Sequence, residues 1–278
     1  MSRIVDSEQL IVDNEKKINI PSALSTIPGT TVTEFRQNPE LHGKFLTMEK
    51  LRTDLTLKAE ISLYYDVYVP DDINVPAPLL LAVHGYGQHK GWIMREARAI
   101  AKEQFVVAAV QGPHQHFQRT GERVRTGFGW LTDYKPDDYV RLHHKFLLDV
   151  IDRLATEGLT DRTRVFLFGF SQASALNFRF AFTYHDILRG LIAACGGIPG
   201  DLDINPNYRP FPAETFYLFG DDDEFYPEEK FLEFDKQLNE RLPNYRSKHY
   251  TARHEITDEM REDMKKFLKE LMRMEVGF

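Results

Sequence analysis

The stretch FLFGFSQASAL, residues 166–176, decides how the rest of the chain reads. Large apolar residues run up to Gly169, a single hydroxyl follows at Ser171, and the sequence then turns alanine-rich and helical. A short, nearly continuous apolar run is the pattern of a strand buried on both faces. A strand that breaks at a glycine and restarts at once as a helix makes a sharp corner, and a glycine two residues before a serine there is the arrangement of a nucleophile elbow. The elbow projects the hydroxyl and offers the next backbone N–H as an oxyanion donor. A serine that merely caps a helix produces the same local pattern, so the rest of the chain has to decide.

On either side, strand and helix patterns alternate. PLLLAVHG (78–85) starts the series, followed by a helix over 92–103, the strand FVVAAVQG (105–112), a helix over 138–157, RVFLFG (164–169), a helix over 172–184 and GLIAACGG (190–197). ETFYLFG (214–220), a helix over 228–241, SKHYTA (247–252) and a last helix from Thr257 close it. Such alternation predicts βαβ crossovers and a mostly parallel sheet flanked by helices. Phe146, Leu147, Val150, Ile151 and Leu154 fall on one helical stripe that Gly158 can terminate. Met260, Met264, Phe267, Leu268 and Leu271 form another behind the acidic first turn Asp258 and Glu259. Before the series, KFLTME (44–49) and ISLYYDVYVP (61–70) read as an N-terminal antiparallel pair, and residues 1–43 read as a polar extension packed on a catalytic domain of residues 44–278.

In an open α/β sheet the functional groups lie beyond the carboxyl ends of the strands. Those ends read HGYGQH (84–89), GPHQH (112–116), GFSQA (169–173), CGGIP (195–199), GDDDEFYP (220–227) and ARHEI (252–256). Serine, acid and histidine occur in that order. Ser171 needs a base, His254 lies on the loop after the last strand, and Asp223 is placed to orient its imidazole. Each has an ordinary explanation too: acids at a turn are usually solvated, Asp221 and Asp222 compete with Asp223, and His249 competes with His254. The three together, at strand ends and in hydrolase order, favour the chemical reading. His84, His114 and His116 include an H-x-H pair of the kind that binds metal, but a serine nucleophile requires none, and no cofactor follows from this chemistry.

Composition narrows the partners. The net charge of −7 argues against a nucleic-acid or anionic-membrane surface. The lone Cys195 excludes an internal disulfide. Asp6, Glu8, Asp13 and Glu15 interrupt any signal-like run, and no stretch is apolar for long enough to span a bilayer, so a cytoplasmic protein without stable membrane association is expected.

These residues resemble the phospholipase/carboxylesterase branch of the α/β-hydrolase superfamily, which includes acyl-protein thioesterases and small bacterial carboxylesterases. HGYGQ resembles the family's H-G-x-G segment, GFSQA its G-F-S-Q-G elbow, GDDDEFYP its G-x-x-D-x-x-V-P acid loop and RHEI its G-H-x-I loop; the likeness runs from about residue 78 to 272. It selects Asp223 and His254 over their neighbours and implies the Tyr86 and Gln172 backbone N–H groups as oxyanion donors. Ala173, Tyr226 and Arg253 depart from the pattern, and the first 60 or so residues have no counterpart in it.

The resulting expectation is an α/β-hydrolase fold that cleaves a small-molecule carboxylic ester of short or aromatic groups through an acyl-enzyme on Ser171. Trp92, Phe128, Trp130, Ile198, Phe225 and Tyr226 are candidates for the substrate pocket, with TGFGWLTDY (126–134) read as a binding loop, although any of these aromatics could be ordinary packing. The alternatives are a lysophospholipase or acyl-protein thioesterase with a long apolar channel, and a hydrolase-fold binding protein, which an incomplete triad would mark.

Overall fold

The computed structural model describes residues 52–276. The expected extension over 1–43 and the strand KFLTME lie outside the described residues. The chain divides between Ile61 and Ser62, and the second unit carries the sheet and its helices.

Among the described residues the main sheet has seven strands: β1 Tyr65–Tyr68, β2 Ala77–Val83, β3 Val106–Val110, β6 Thr160–Phe170, β7 Leu188–Ala194, β8 Glu214–Gly220 and β9 Tyr245–Tyr250, in the order β1-β3-β2-β6-β7-β8-β9. All neighbours are parallel except β1, which runs antiparallel to β3 with Tyr65 opposite Val110. Within the described residues, ISLYYDVYVP therefore supplies an antiparallel edge strand paired to the interior of the fold.

Among the described residues five α-helices cover the sheet: α1 Lys90–Ala101, α2 Pro136–Thr156, α3 Gln172–Thr183, α4 Glu228–Arg241 and α5 Asp258–Val276. Strand alternation divides the core between the two faces. Leu79, Leu81 and Val83 of β2, with Val165 and Leu167 of β6, pack on the side of α2, α3 and α4. Leu80, Ala82, Phe166, Phe168 and Phe170 pack on the side of α1 and α5, against Ile93, Ile100, Met260, Met264 and Phe267. Both faces are covered, which is why these strands read as unbroken apolar runs. The α2 helix ends as its sequence predicts. Gly158 takes φ +74°, its N–H bonds to Ala155 O at 3.0 Å, and Leu159 N–H reaches Leu154 O at 3.0 Å, the paired bonds of a Schellman cap.

One expectation is corrected. The stretch 126–134 is not a plain loop, because β4 His114–Thr120 and β5 Arg123–Gly129 form a separate antiparallel hairpin. Its two-residue connection begins at Gly121, with φ +60°, and such turns require positive φ. The hairpin closes onto the first loop of the sheet, since Gly87 N–H bonds to Phe128 O at 2.7 Å.

Leu81 lies fully buried in a strand with a neighbour on each side. Leu81→Ala should destabilise the fold by about 2–5 kcal/mol through lost burial and the cavity left behind. Urea titration should show a lower midpoint with an unchanged slope; an unchanged midpoint would contradict this view of the core.

Candidate active site

Ser171 joins β6 to α3 with φ 57° and ψ −122°, a conformation that strains any residue carrying a Cβ. Its N–H bonds to Ala194 O at 2.8 Å, and its carbonyl accepts from Ser174 N–H at 2.9 Å. The corner leaves the hydroxyl facing His254, whose Nε2 lies 2.9 Å from Ser171 Oγ. On the other side of the ring, His254 Nδ1 lies 2.7 Å from Asp223 Oδ2. A carboxylate can only accept, so Nδ1 carries the proton and Nε2 is free to take one from the serine.

The acid is held by its own loop. Asp223 Oδ1 accepts the N–H groups of Phe225 at 2.8 Å and Tyr226 at 3.1 Å, which leaves Oδ2 for the imidazole. Its side chain is fully buried and that of His254 is 11% exposed. The competing residues sit elsewhere. Asp221 bonds to Ala252 N–H and the Thr251 hydroxyl, Asp222 is exposed, and His249 lies on β9 beside Phe219 and Glu228.

The loop after β2 approaches from the opposite side. Gln88 N–H bonds to Gly85 O at 3.3 Å, and Gly87 has φ +75°, which makes residues 85–88 a type II turn with glycine where that turn requires it. Tyr86 occupies the first central position, so its N–H lies outside the turn's own bond. Gly85 packs so closely against Ser171 that a Cβ there would lie 2.9 Å from Ser171 Cβ. Gln172 is the first residue of α3, and the first N–H groups of a helix have no acceptor within it. The two N–H groups that the resemblance implies as donors thus belong to segments flanking Ser171.

His84 anchors this loop from beneath. It is fully buried, its Nδ1 lies 2.7 Å from Gly85 O, and its Nε2 accepts from Gly112 N–H and the Gln111 amide, each at 2.9 Å. Only the neutral Nδ1–H tautomer fits that set. Burial accordingly holds its pKa down to about 4, against the opposing pull of the Gly85 carbonyl. Gln111 also accepts from Lys90 N–H at 3.1 Å, which ties the loop to the start of α1.

The aromatic candidates separate into groups. Phe225 is 56% exposed and meets the His254 ring edge-on at 4.6 Å, while Trp92 packs on Phe170, whose ring lies 4.9 Å from His254. Phe128 contributes its carbonyl to the Gly87 contact. Tyr226 and Ile198 are partly buried against the core on the α2, α3 and α4 side. Trp130 is 1% exposed, with its indole N–H on His84 O at 2.7 Å, so it lies beneath the loop. Of the remaining histidines, His114 meets Tyr139 and His116 stacks on Tyr86 at 4.5 Å. Among the described residues no three His, Cys, Asp or Glu are grouped to hold a metal ion, and no helix is long and apolar enough to cross a membrane.

Sequence reasoning missed two polar supports. Glu224 accepts His254 N–H at 3.0 Å and the Arg253 guanidinium at 3.1 Å, and Gln111 braces His84. Neither side chain stands out in its local sequence, because each acts on a segment distant along the chain.

A parallel sheet with covered faces, a strained serine corner and a neighbouring histidine–aspartate pair define the α/β-hydrolase fold. The chain belongs to the phospholipase/carboxylesterase family, whose sequence profile matches residues 68–272. Solved structures agree in fold. A carboxylesterase of Bacillus cereus superposes with a TM-score of 0.59 at 18% identity, over 75% of this chain and 94% of that one. Esterase PE8 gives 0.62 at 17% identity over 76% and 100%, and SOBER1 of Arabidopsis thaliana gives 0.59 at 18% over 70% and 99%. No curated protein sequence matches the chain significantly.

The buried imidazoles carry a pH signature. Burial holds His84 and His144 down to about 4 and His143 well below its ordinary value of 6.5. Between pH 6.5 and 4 the unfolded chain binds protons that the folded chain refuses. Stability should therefore be full above about pH 6.5 and fall as the pH drops towards 4, by on the order of 3 kcal/mol for His84 alone. Urea midpoints measured across that window should decline, and His144→Phe should flatten the decline; a flat wild-type profile would contradict neutral burial.

Proposed function

We propose that this protein hydrolyses carboxylic esters of small alcohols or acids through an acyl-enzyme on Ser171. The observation that carries the reading is the unbroken hydrogen-bonded line from Ser171 Oγ through His254 to Asp223, at 2.9 and 2.7 Å. Ser171 Oγ attacks the ester carbonyl carbon while its proton passes to His254 Nε2. Asp223 keeps the imidazole in the accepting tautomer and stabilises the cation that forms. The carbonyl oxygen gains the negative charge and is received by the Tyr86 and Gln172 N–H groups. Collapse of the tetrahedral intermediate breaks the bond to the alkoxy oxygen, which takes the proton back from His254 Nε2 and leaves as the alcohol. Water then enters, gives a proton to His254, and attacks the acyl carbon. The acid departs and Ser171 recovers its proton.

Phe225, at the edge of the His254 ring, favours short or aromatic substrate groups, because a ring beside the reacting carbon fills space that a long chain would occupy and offers aromatic contact. The line Ser171–His254–Asp223 offers the nucleophile, base and orienting carboxylate the chemistry needs, the flanking Tyr86 and Gln172 N–H groups offer the donors, and the family membership supports ester cleavage.

Ser171→Ala should abolish turnover of p-nitrophenyl acetate and labelling by a fluorophosphonate while the fold survives. Labelling at another residue would overturn the assignment. Asp223→Asn should lower kcat by up to about four orders of magnitude, whereas Asp222→Asn should leave it near wild type. A panel of p-nitrophenyl esters of rising chain length should peak at short or aromatic acyl groups. A peak at chains of lipid length would replace the short-substrate reading with that of a lysophospholipase or acyl-protein thioesterase.

A further inference from the structure

We infer that Trp130 is a positioning residue that fixes the separation of the two oxyanion-donating N–H groups, an inference that rests on the acyl-enzyme reading of Ser171. Those donors sit on different elements, Tyr86 on the loop after β2 and Gln172 on the first turn of α3. Their spacing has to match one oxygen atom, and displacement on the scale of an ångström is costly in such a site. The β2–β6 ladder sets the two elements side by side only as far as Val83 and Gly169; beyond it, van der Waals contact between Gly85 and Ser171 limits how close the segments come but cannot keep them from separating.

Trp130 binds both. Its backbone N–H donates to Gln172 Oε1 at 2.9 Å, and the next residue's carbonyl, Leu131 O, accepts from Gln172 Nε2 at 3.1 Å. The Gln172 amide is thereby engaged at both ends by a single dipeptide. The indole Nε1–H of the same Trp130 donates to His84 O at 2.7 Å, one residue before the turn that carries Tyr86. A hydrogen-bonded path therefore runs from Gln172 through Trp130 to His84, with the rigid indole as its middle link.

The indole has no freedom to release this path. It is 1% exposed, with the His84 ring 5.3 Å away on one side and the His143 ring edge-on at 5.1 Å. The flanking residues add to the same contact. Phe128 O holds Gly87 N–H, and Gly129 passes so close to the Tyr86 ring that a Cβ there would come within 3.0 Å of it. Support of this kind, with rotamers locked by packing and outer hydrogen bonds, is what holds a reacting site to geometry. Simple core packing would need the ring but neither the indole N–H nor the Gln172 amide.

Trp130→Phe tests the difference, because it keeps an aromatic ring while removing the bond to His84 O together with part of the ring volume packed against His84 and His143. With p-nitrophenyl acetate, kcat should fall by about 10- to 100-fold while KM stays within about twofold, the pattern of an interaction made in the transition state. Affinity for a trifluoromethyl ketone, which forms a tetrahedral adduct, should fall by the same factor as kcat/KM. Gln172→Met retains the backbone donor and removes both side-chain bonds to the Trp130–Leu131 dipeptide, so it should show the same kinetic split. The double variant should lose little more than the worse single one, because the bonds act in series. Unchanged kcat and inhibitor affinity in Trp130→Phe would overturn the proposal, as would losses that simply add in the double variant. Should Trp130→Phe fail to fold, Gln172→Met alone decides: a selective fall in kcat and in ketone affinity supports the path, and wild-type values overturn it. Wild-type turnover that survives Ser171→Ala would instead remove the acyl-enzyme reading underneath, a failure visible before any Trp130 variant is made.

Discussion

The positive φ of Ser171 is the constraint around which the carboxyl end of the sheet is organised. A residue with a Cβ held at φ 57°, ψ −122° is strained by about 1–3 kcal/mol and persists only where its surroundings leave no alternative. Those surroundings are specific. The strand hydrogen bond from Ser171 N–H to Ala194 O continues the β6 to β7 ladder one residue past its end, and the Ser174 bond to Ser171 O begins α3 immediately. The corner therefore has no slack residue in which to relax. Glycine at 85, 169 and 196 is the steric counterpart, since each lies where a side chain would meet Ser171 or the first turns of α3.

The departures from the family pattern fit the same scheme of mutual bracing. Arg253, where the resemblance expects glycine, pairs with Glu224, and that carboxylate also accepts the backbone N–H of His254. The acid loop thus grips the histidine loop through Asp223 on the imidazole, Glu224 on the His254 backbone and Asp221 on Ala252 N–H. Tyr226, where the resemblance expects valine, extends its ring to Phe231 and Phe234 of α4 and ties the acid loop to the helix that follows it. Ala173, where a second glycine is usual, is fully buried in the core on the α2, α3 and α4 side, and Gly169 provides the close approach instead. Each replacement adds side-chain contact and leaves Ser171, His254 and Asp223 in place.

What the sequence made legible follows from how local the determinants are. Strands buried on both faces announce themselves as apolar runs, so β2, β3, β6, β7 and β8 were readable, as were the helices, whose stripes and caps lie within a few turns. The hairpin β4 and β5 was missed because its faces are unequally wet. Phe117 is 86% exposed and Val124 55% exposed, so the alternation expected of a half-buried strand is blurred by apolar residues on the open side. Gly121 and Glu122 were the available signal, a two-residue connection between equal runs. Trp130 was read as a pocket wall because aromatic residues near strand ends often are. Its burial depends on His84 and His143, which lie 46 residues before it and on the following helix, and no local pattern reports such a meeting.

The meeting of Ser171 and His254 across 83 residues has a mechanical explanation in the backbone. Ser171 N–H bonds to Ala194 O, Cys195 N–H to Leu218 O, and Asp221 N–H to Tyr250 O. The first residue beyond β6, β7 and β8 in turn donates to one of the last three residues of the next strand. These bonds form a staircase across the carboxyl edge of the sheet, and each step fixes where one loop leaves relative to the next. The acid loop departs at the third step and the histidine loop just beyond the strand that receives it. Cys195 repeats the positive φ of Ser171, at 50°, so the chain turns sharply at two successive steps. Placement of Ser171, Asp223 and His254 is thus inherited from strand register. Side-chain bonds at 2.7 and 2.9 Å have only to complete a distance that the parallel ladders have already set, and a parallel sheet buried on both faces is rigid enough to hold it.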